Sequence, residues 1–175
     1  MEQYFNANQI SLAGKTFAQA EMLAGHYFRL SASERKGHRY DVKTLAYLEK
    51  HEVRDGAFAH LCRYQFGGEP EGEKQGLHFY RICLQDDRIL DAVERAHSFI
   101  RLAPLLLYIA AHELVHVIRF ERGEGNFDAP AEEKWGEEET VHRITRNLLK
   151  PGTDTDLNLV LDCFSSRYQI GDLVQ

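Results

Sequence analysis

The stretch that decides the fold is residues 103–118, which read APLLLYIAAHELVHVI. Pro104 is typical of the first turn of a helix. The run predicts a buried helix that continues to about Glu121 and ends at Gly123. Because the run is shorter than the roughly 20 apolar residues of a membrane span and contains titratable side chains, we expect a core helix.

Periodicity predicts further elements on both sides of this helix. Helical spacing recurs in four segments: 15–30, 88–99, 131–149 and 156–164. Asp41 is a plausible N-cap for another helix that runs to about Glu52. Alternation with period two predicts strands within 56–66 and at 77–84, paired as a hairpin. Two polar stretches are predicted to be loops: 31–40 and 67–76. Helices that flank one small sheet indicate an α+β fold.

The composition is typical of a soluble globular protein. Hydrophobic residues make up 43% of the 175 residues, enough for one domain with its own core. Acidic residues outnumber basic ones by 27 to 21, which argues against a protein that coats nucleic acid. The N-terminus lacks the layout of a signal peptide, and the three cysteines (Cys62, Cys83 and Cys163) form no CxxC pair. We therefore expect a cytoplasmic protein with reduced thiols and no membrane segment.

The central helix contains the metal-binding pattern HExxH at residues 112–116. Side chains four residues apart lie on one face of a helix, so His112 and His116 can bind the same ion. Glu113 lies beside them and can hold a water molecule on that ion without being a ligand. Titratable groups in an apolar helix are costly unless something compensates them. We therefore predict a Zn²⁺ site, which in catalytic proteins has three protein ligands and an open position for water.

The acid-rich helix at 131–149 is expected to supply the third ligand. Its inner face is defined by three apolar residues: Val141, Ile144 and Leu148. Extending this face backward places Glu137 and Glu138 on or near it. Three other glutamates are expected to be solvated: Glu132, Glu133 and Glu139. Trp135 is predicted to be an apolar anchor of this helix in the core.

Two segments of the chain resemble zincin metallopeptidases of the gluzincin type. They are HELVH and, 21 residues later, EETVH at 138–142 with LLKP at 148–151. The closest likeness is to ImmA/IrrE-type peptidases, whose second helix commonly reads E-x-E-A-D-x-F-A-x-x-L-L-x-P. Laid on that pattern without gaps, the first glutamate falls on Glu138, which the resemblance implies is the third ligand. It also implies a zincin-like fold, in which the active-site helix and the glutamate helix pack against a small sheet, with additional N-terminal helices.

The chain departs from this family at His142, which stands where the pattern has an aspartate. That aspartate normally orients a metal-binding histidine from outside the ligand set. Two roles for His142 stay open: a neutral acceptor that takes over this function, or an alternative third ligand that displaces Glu138. A second family glutamate is replaced by Thr140.

The predicted activity is hydrolysis of a peptide or protein by a metal-activated water, with Glu113 as the general base. Candidate donors to the oxyanion are Tyr108, Tyr168, His97 and His142. An edge of the strand at 77–84 is expected to bind an extended peptide. The alternatives are a non-catalytic, metal-stabilised interaction module and an amidase for small molecules. We predict one zincin-like domain over 1–175, with three parts: a helical N-terminal part (1–55), a catalytic core (56–151), and a C-terminal helix and tail (152–175).

Overall fold

The computed structural model describes residues 2–37, 39–66, 77–152 and 154–165, and these form an α+β fold. The described helices are α1 (Ala7–Tyr27), α2 (Ala32–Gly37), α3 (Asp86–Arg95), α4 (Leu102–Glu121), α5 (Ala131–Leu149) and α6 (Thr155–Ser165). The described strands are β1 (Tyr40–Lys43), β2 (Ala59–Phe66) and β3 (Leu77–Leu84). Short 3-10 turns occupy Leu45–Tyr47, Lys50–Glu52 and Lys150–Gly152. The predicted α+β class is confirmed.

The three strands form one mixed sheet in the order β1-β3-β2. β2 and β3 pair in antiparallel register from Ala59 opposite Leu84 to Phe66 opposite Leu77, which confirms the predicted hairpin. The predicted loop at 67–76 lies outside the described residues. β1 pairs with β3 in parallel, with Val42 opposite Ile82.

The helix predicted from Asp41 to Glu52 is wrong. The backbone of β1 pairs with β3 instead, and the Asp41 carboxylate accepts two hydrogen bonds from Arg81 rather than capping a helix. The N-terminal part is therefore not purely helical, because it contributes a strand to the sheet. The polar stretch 31–40, predicted to be a loop, contains the short helix α2.

The core is built around α4, the helix predicted from the apolar run. Most of its residues from Leu105 to Ile118 are buried, and α1, α5 and α6 pack against it. Its end is as predicted, since Gly123 has a φ of +71°, a conformation that favours glycine. By length and composition α4 could cross a membrane, but 72% of its most apolar window is buried, as in the core helix of a soluble protein.

The acid-rich helix α5 has the predicted inner face. Val141, Ile144 and Leu148 are buried, whereas Glu132, Glu133 and Glu139 are exposed. The predicted burial of Trp135 is wrong, because its side chain is 63% exposed. Six residues before Val141 corresponds to about 120° around a helix, which turns Trp135 away from the core.

Candidate metal centre

The site forms where α4 and α5 cross, because each helix carries its polar groups on the face that meets the other. His112 and His116 lie one turn apart on α4, and Glu138 faces them from α5. An ion pair next to the site holds the two helices together. Arg119 on α4 donates to both carboxylate oxygens of Glu137 on α5, at 2.8 and 3.0 Å. The glutamate preceding Glu138 is thus an interhelical clamp, and Glu138 is left facing the histidines.

Three donor groups converge at this crossing. The Nε2 atom of His112 lies 3.2 Å from Oε2 of Glu138, and Nε2 of His116 lies 2.9 Å from Oε1. His112 and His116 are largely buried, whereas the Glu138 side chain is 44% exposed and opens the site to solvent. Within the described residues, these three side chains form a group whose donor atoms all lie within 4.8 Å of one another.

Glu113 lies at the same place without joining that group. Its Oε1 atom is 3.2 Å from Nδ1 of His112, on the side of the ring away from Glu138. The contact orients the His112 ring, in the way that carboxylates outside a ligand set commonly orient metal-binding histidines. A carboxylate that uses one oxygen in this way keeps acceptor capacity on the other oxygen.

The charges at the site are tightly coupled. Burial alone would lower the pKa of His112, but hydrogen bonds to Glu113 and Glu138 outweigh it and raise that pKa to about 10. Burial alone would raise the pKa of Glu138, but His112 and His116 outweigh it and hold that pKa well below its usual range. Without a cation, a proton on His112 is therefore stabilised next to the Glu138 carboxylate, at the position that a divalent ion could occupy.

His142 reaches the same site from α5. Its Nε2 atom lies 3.8 Å from Oε2 of Glu138, and its Nδ1 atom forms a short hydrogen bond with the Tyr108 hydroxyl. Burial, together with the charge of His112, lowers the pKa of His142 to about 4, so the ring is neutral at neutral pH. Phe164 on α6 stacks on Tyr108 at 4.1 Å between ring centroids and closes this side.

The donor set and the two separations from Glu138 are compatible with a tetrahedral divalent ion such as zinc. A tetrahedral ion with ligands at about 2.1 Å separates neighbouring ligand atoms by about 3.4 Å. The two separations from Glu138 to the histidine nitrogens, 3.2 and 2.9 Å, need only a small expansion to reach this value. The fit is less complete around His116, whose buried Nδ1 has no hydrogen-bond partner among the described residues. His142, at the position where the zincin pattern has an aspartate, contacts the Tyr108 hydroxyl.

Of the other candidate oxyanion donors that the structure describes, only Tyr108 lies at the site. The Tyr108 hydroxyl is engaged with His142 and its side chain is buried. His97 lies in the exposed turn after α3, with a φ of +47°. Tyr168 lies outside the described residues. The prediction that the strand at 77–84 offers a free edge is wrong, because β3 is the central strand and pairs on both sides.

Sequence reasoning predicted the strand β2 but did not identify it as an edge strand near the candidate site. Burial and the charge of Arg54 lower the pKa of His60 on β2, while the carboxylate of Glu113 acts in the opposite direction. His60 is thus within electrostatic range of the candidate site. The alternation of β2 was visible in the sequence, but which strand of the hairpin lies at the edge depends on the pairing of β1.

No protein-family model matches the chain, and neither the curated proteins nor the solved structures give a significant match. The resemblance to zincin metallopeptidases therefore rests on the HELVH segment and the glutamate helix. The structure places these two segments against each other, with Glu138 on α5 facing His112 and His116 on α4.

Proposed function

We propose that this protein is a zinc-dependent metallopeptidase. The single observation that carries the proposal is the convergence of His112, His116 and Glu138, with Glu113 beside them. Two histidines one helical turn apart and a carboxylate from a second helix form the ligand set of many catalytic zinc sites. The half-exposed Glu138 supports access of a substrate to this set.

A bound zinc ion would act as a Lewis acid and would lower the pKa of water towards neutrality. The carboxylate of Glu113 takes the proton of the attacking water and transfers it to the leaving amine. One of its oxygens contacts Nδ1 of His112, on the side of the ring away from Glu138, and its other oxygen would accept the proton of the water. Glu113 is therefore the proposed general base.

His142 is the proposed donor to the oxyanion. If the Tyr108 hydroxyl donates to Nδ1, the neutral ring carries its proton on Nε2, the atom that faces Glu138 and the ligand set. A preorganised N–H at this position stabilises the charge that develops on the carbonyl oxygen. Tyr108 is then a positioning residue, which fixes the tautomer and the direction of His142.

The proposed docking strand is β2. In the order β1-β3-β2 it is an edge strand, and it packs against α4, the helix that carries HELVH. An extended peptide could add to this edge through main-chain hydrogen bonds and present its carbonyl to the site. The substrate class that this arrangement favours is an unfolded or extended segment of a peptide or protein.

The test is cleavage of a diverse peptide library by the zinc-loaded protein. We expect Glu113→Gln to lower cleavage by about 10²- to 10⁴-fold, because the base is lost. Zinc content should be unchanged, because the amide oxygen of Gln can still accept from Nδ1 of His112. Glu139→Gln, the same change at an exposed position of α5, is the matched control and should retain wild-type activity. Stoichiometric zinc without any cleavage, together with zinc-dependent thermal stability, would instead support the non-catalytic module.

A further inference from the structure

A second group of metal-binding side chains lies on the other face of the hairpin. Ile82 and Leu84 belong to the core beneath α4, so Cys83, between them, points to the opposite face of β3. Cys62 on β2 points to the same face, and the 3-10 turn at Lys50–Glu52 brings a glutamate onto it. Within the described residues, this is the only potential metal-binding group besides the site on α4 and α5.

The separations within this group are those of a tetrahedral metal site. The two thiol sulfurs, on Cys62 and Cys83, are 4.0 Å apart, and Sγ of Cys83 is 3.6 Å from Oε2 of Glu52. Nδ1 of His60 lies 3.7 Å from Sγ of Cys62. With zinc–sulfur distances of about 2.3 Å and zinc–nitrogen or zinc–oxygen distances of about 2.0–2.2 Å, the edges of a tetrahedron are about 3.5–3.8 Å.

The surroundings orient these side chains as they would around an ion. The Glu52 carboxylate is fully buried and accepts hydrogen bonds from Tyr64 at 3.0 Å and from Arg81 at 3.2 Å. Such partners hold ligands in place whether or not the ion is bound.

A divalent cation would offset most of the negative charge around this group. Two thiolates, the carboxylates of Glu52 and Asp41, the guanidinium of Arg81 and Zn²⁺ together carry a net charge of only −1. Asp41 forms a two-point ion pair with the same guanidinium and keeps it in place. Arg81 is therefore compatible with a metal site whose sulfur ligands lose their protons on binding.

We propose that Glu52, Cys62 and Cys83 form a second, structural zinc site, and that the neighbouring His60 ring turns towards the ion to become the fourth ligand. A closed set of four protein ligands leaves no position for water, so this site is not catalytic. The ion would fasten the segment that contains Glu52 onto the hairpin β2–β3. The proposal does not depend on the peptidase activity or on the site between α4 and α5.

Cobalt(II) substitution tests the proposal directly. Cobalt bound to thiolate gives a charge-transfer absorption in the near ultraviolet, whereas the set of His112, His116 and Glu138 contains no sulfur. We expect this band in the wild type, its loss in Cys83→Ser, and its retention in the control Cys163→Ser. It should also persist in His112→Ala, although that variant loses one of the two metal equivalents. Failure of the α4–α5 site is thereby distinguishable from failure of this one.

A second measurement on the wild type covers the case in which Cys83→Ser does not fold. We expect zinc to protect Cys62 and Cys83 from alkylation, read by mass spectrometry of the peptides, and a chelator to restore their labelling. The absence of a thiolate band in cobalt-loaded wild type would overturn the proposal. A band that survives in Cys83→Ser, labelling of both thiols that zinc does not change, or a disulfide between them in the purified protein would also overturn it.

Discussion

Replacing Glu138 by Gln should weaken zinc binding at the α4–α5 site and lower the stability of the zinc-loaded protein. The substitution keeps the size of the side chain but removes the charge that faces His112 and His116 at 3.2 and 2.9 Å. An amide is a poor zinc ligand, so two protein ligands would remain. Glu139→Gln makes the same change one residue further along α5, at an exposed position, and is the control.

The magnitude has two parts. Without metal, Glu138→Gln weakens two charge-assisted hydrogen bonds, but the side chain is 44% exposed, so we expect a loss of only about 1 kcal/mol. With zinc, loss of a direct ligand should cost at least the roughly 100-fold in affinity that the strongest outer-shell substitutions cost, or about 3 kcal/mol. For a chain of this length that corresponds to a decrease in Tm of about 6–12 °C.

The assay is thermal unfolding with saturating zinc and with a chelator, for the wild type and both variants. The zinc-dependent rise in Tm should shrink by this amount in Glu138→Gln and stay unchanged in Glu139→Gln. Zinc affinity, measured against a competing chelating dye, should follow the same order. An undiminished zinc-dependent rise in Glu138→Gln would refute the assignment of Glu138 as a ligand, and a larger loss in His142→Ala would point to His142 instead.

Three further predictions concern packing and charge around the site. Glu137→Gln should lower the free energy of unfolding in urea by about 2 kcal/mol, because it leaves the largely buried Arg119 without its two-point partner; a change below about 0.5 kcal/mol would contradict the clamp. Leu106→Ala should cost about 2–5 kcal/mol in the same assay, because the side chain is fully buried in α4; a near-neutral effect would place it outside the core. The hydrogen bond from Arg122 lowers the pKa of Glu34 from 4.5, so this pair contributes stability above about pH 4.5 that is lost as the pH falls through the lowered value. Urea midpoints of Glu34→Gln should therefore fall less than those of the wild type on acidification, and parallel curves would contradict the pairing.

The parts of the fold that could be predicted from the sequence are those specified by local signals. The apolar run and Gly123 specify α4, and the periodicity of α5 correctly separates its buried face from the exposed Glu139. β1 could not be predicted, because its strand conformation depends on parallel pairing with β3, about 40 residues away along the chain. The assignment of β3 as an edge strand was wrong for the same reason.

In the candidate site, too, local sequence signals predict part of the arrangement, and the rest depends on how the helices pack. The spacing of HELVH predicts two donors on one face of a helix, and helical phasing narrows the third to Glu137 or Glu138. The choice between Glu137 and Glu138 depends on how α4 and α5 cross. In the structure Arg119 donates to Glu137, and the histidines face Glu138. The contact between Tyr108 and His142 likewise needs the distance between two helices, which no local pattern contains.

The central claim is that α4 and α5 together bind one zinc ion, and a crystal structure of the zinc-loaded protein tests it most directly. We predict an ion with Nε2 of His112 and Nε2 of His116 at about 2.0–2.1 Å and a carboxylate oxygen of Glu138 at about 2.0–2.2 Å. The fourth position should hold water, and His142 should lie outside the ligand set. A structure in which this crossing binds no metal under saturating zinc, or in which His142 replaces Glu138 on the ion, would contradict the account.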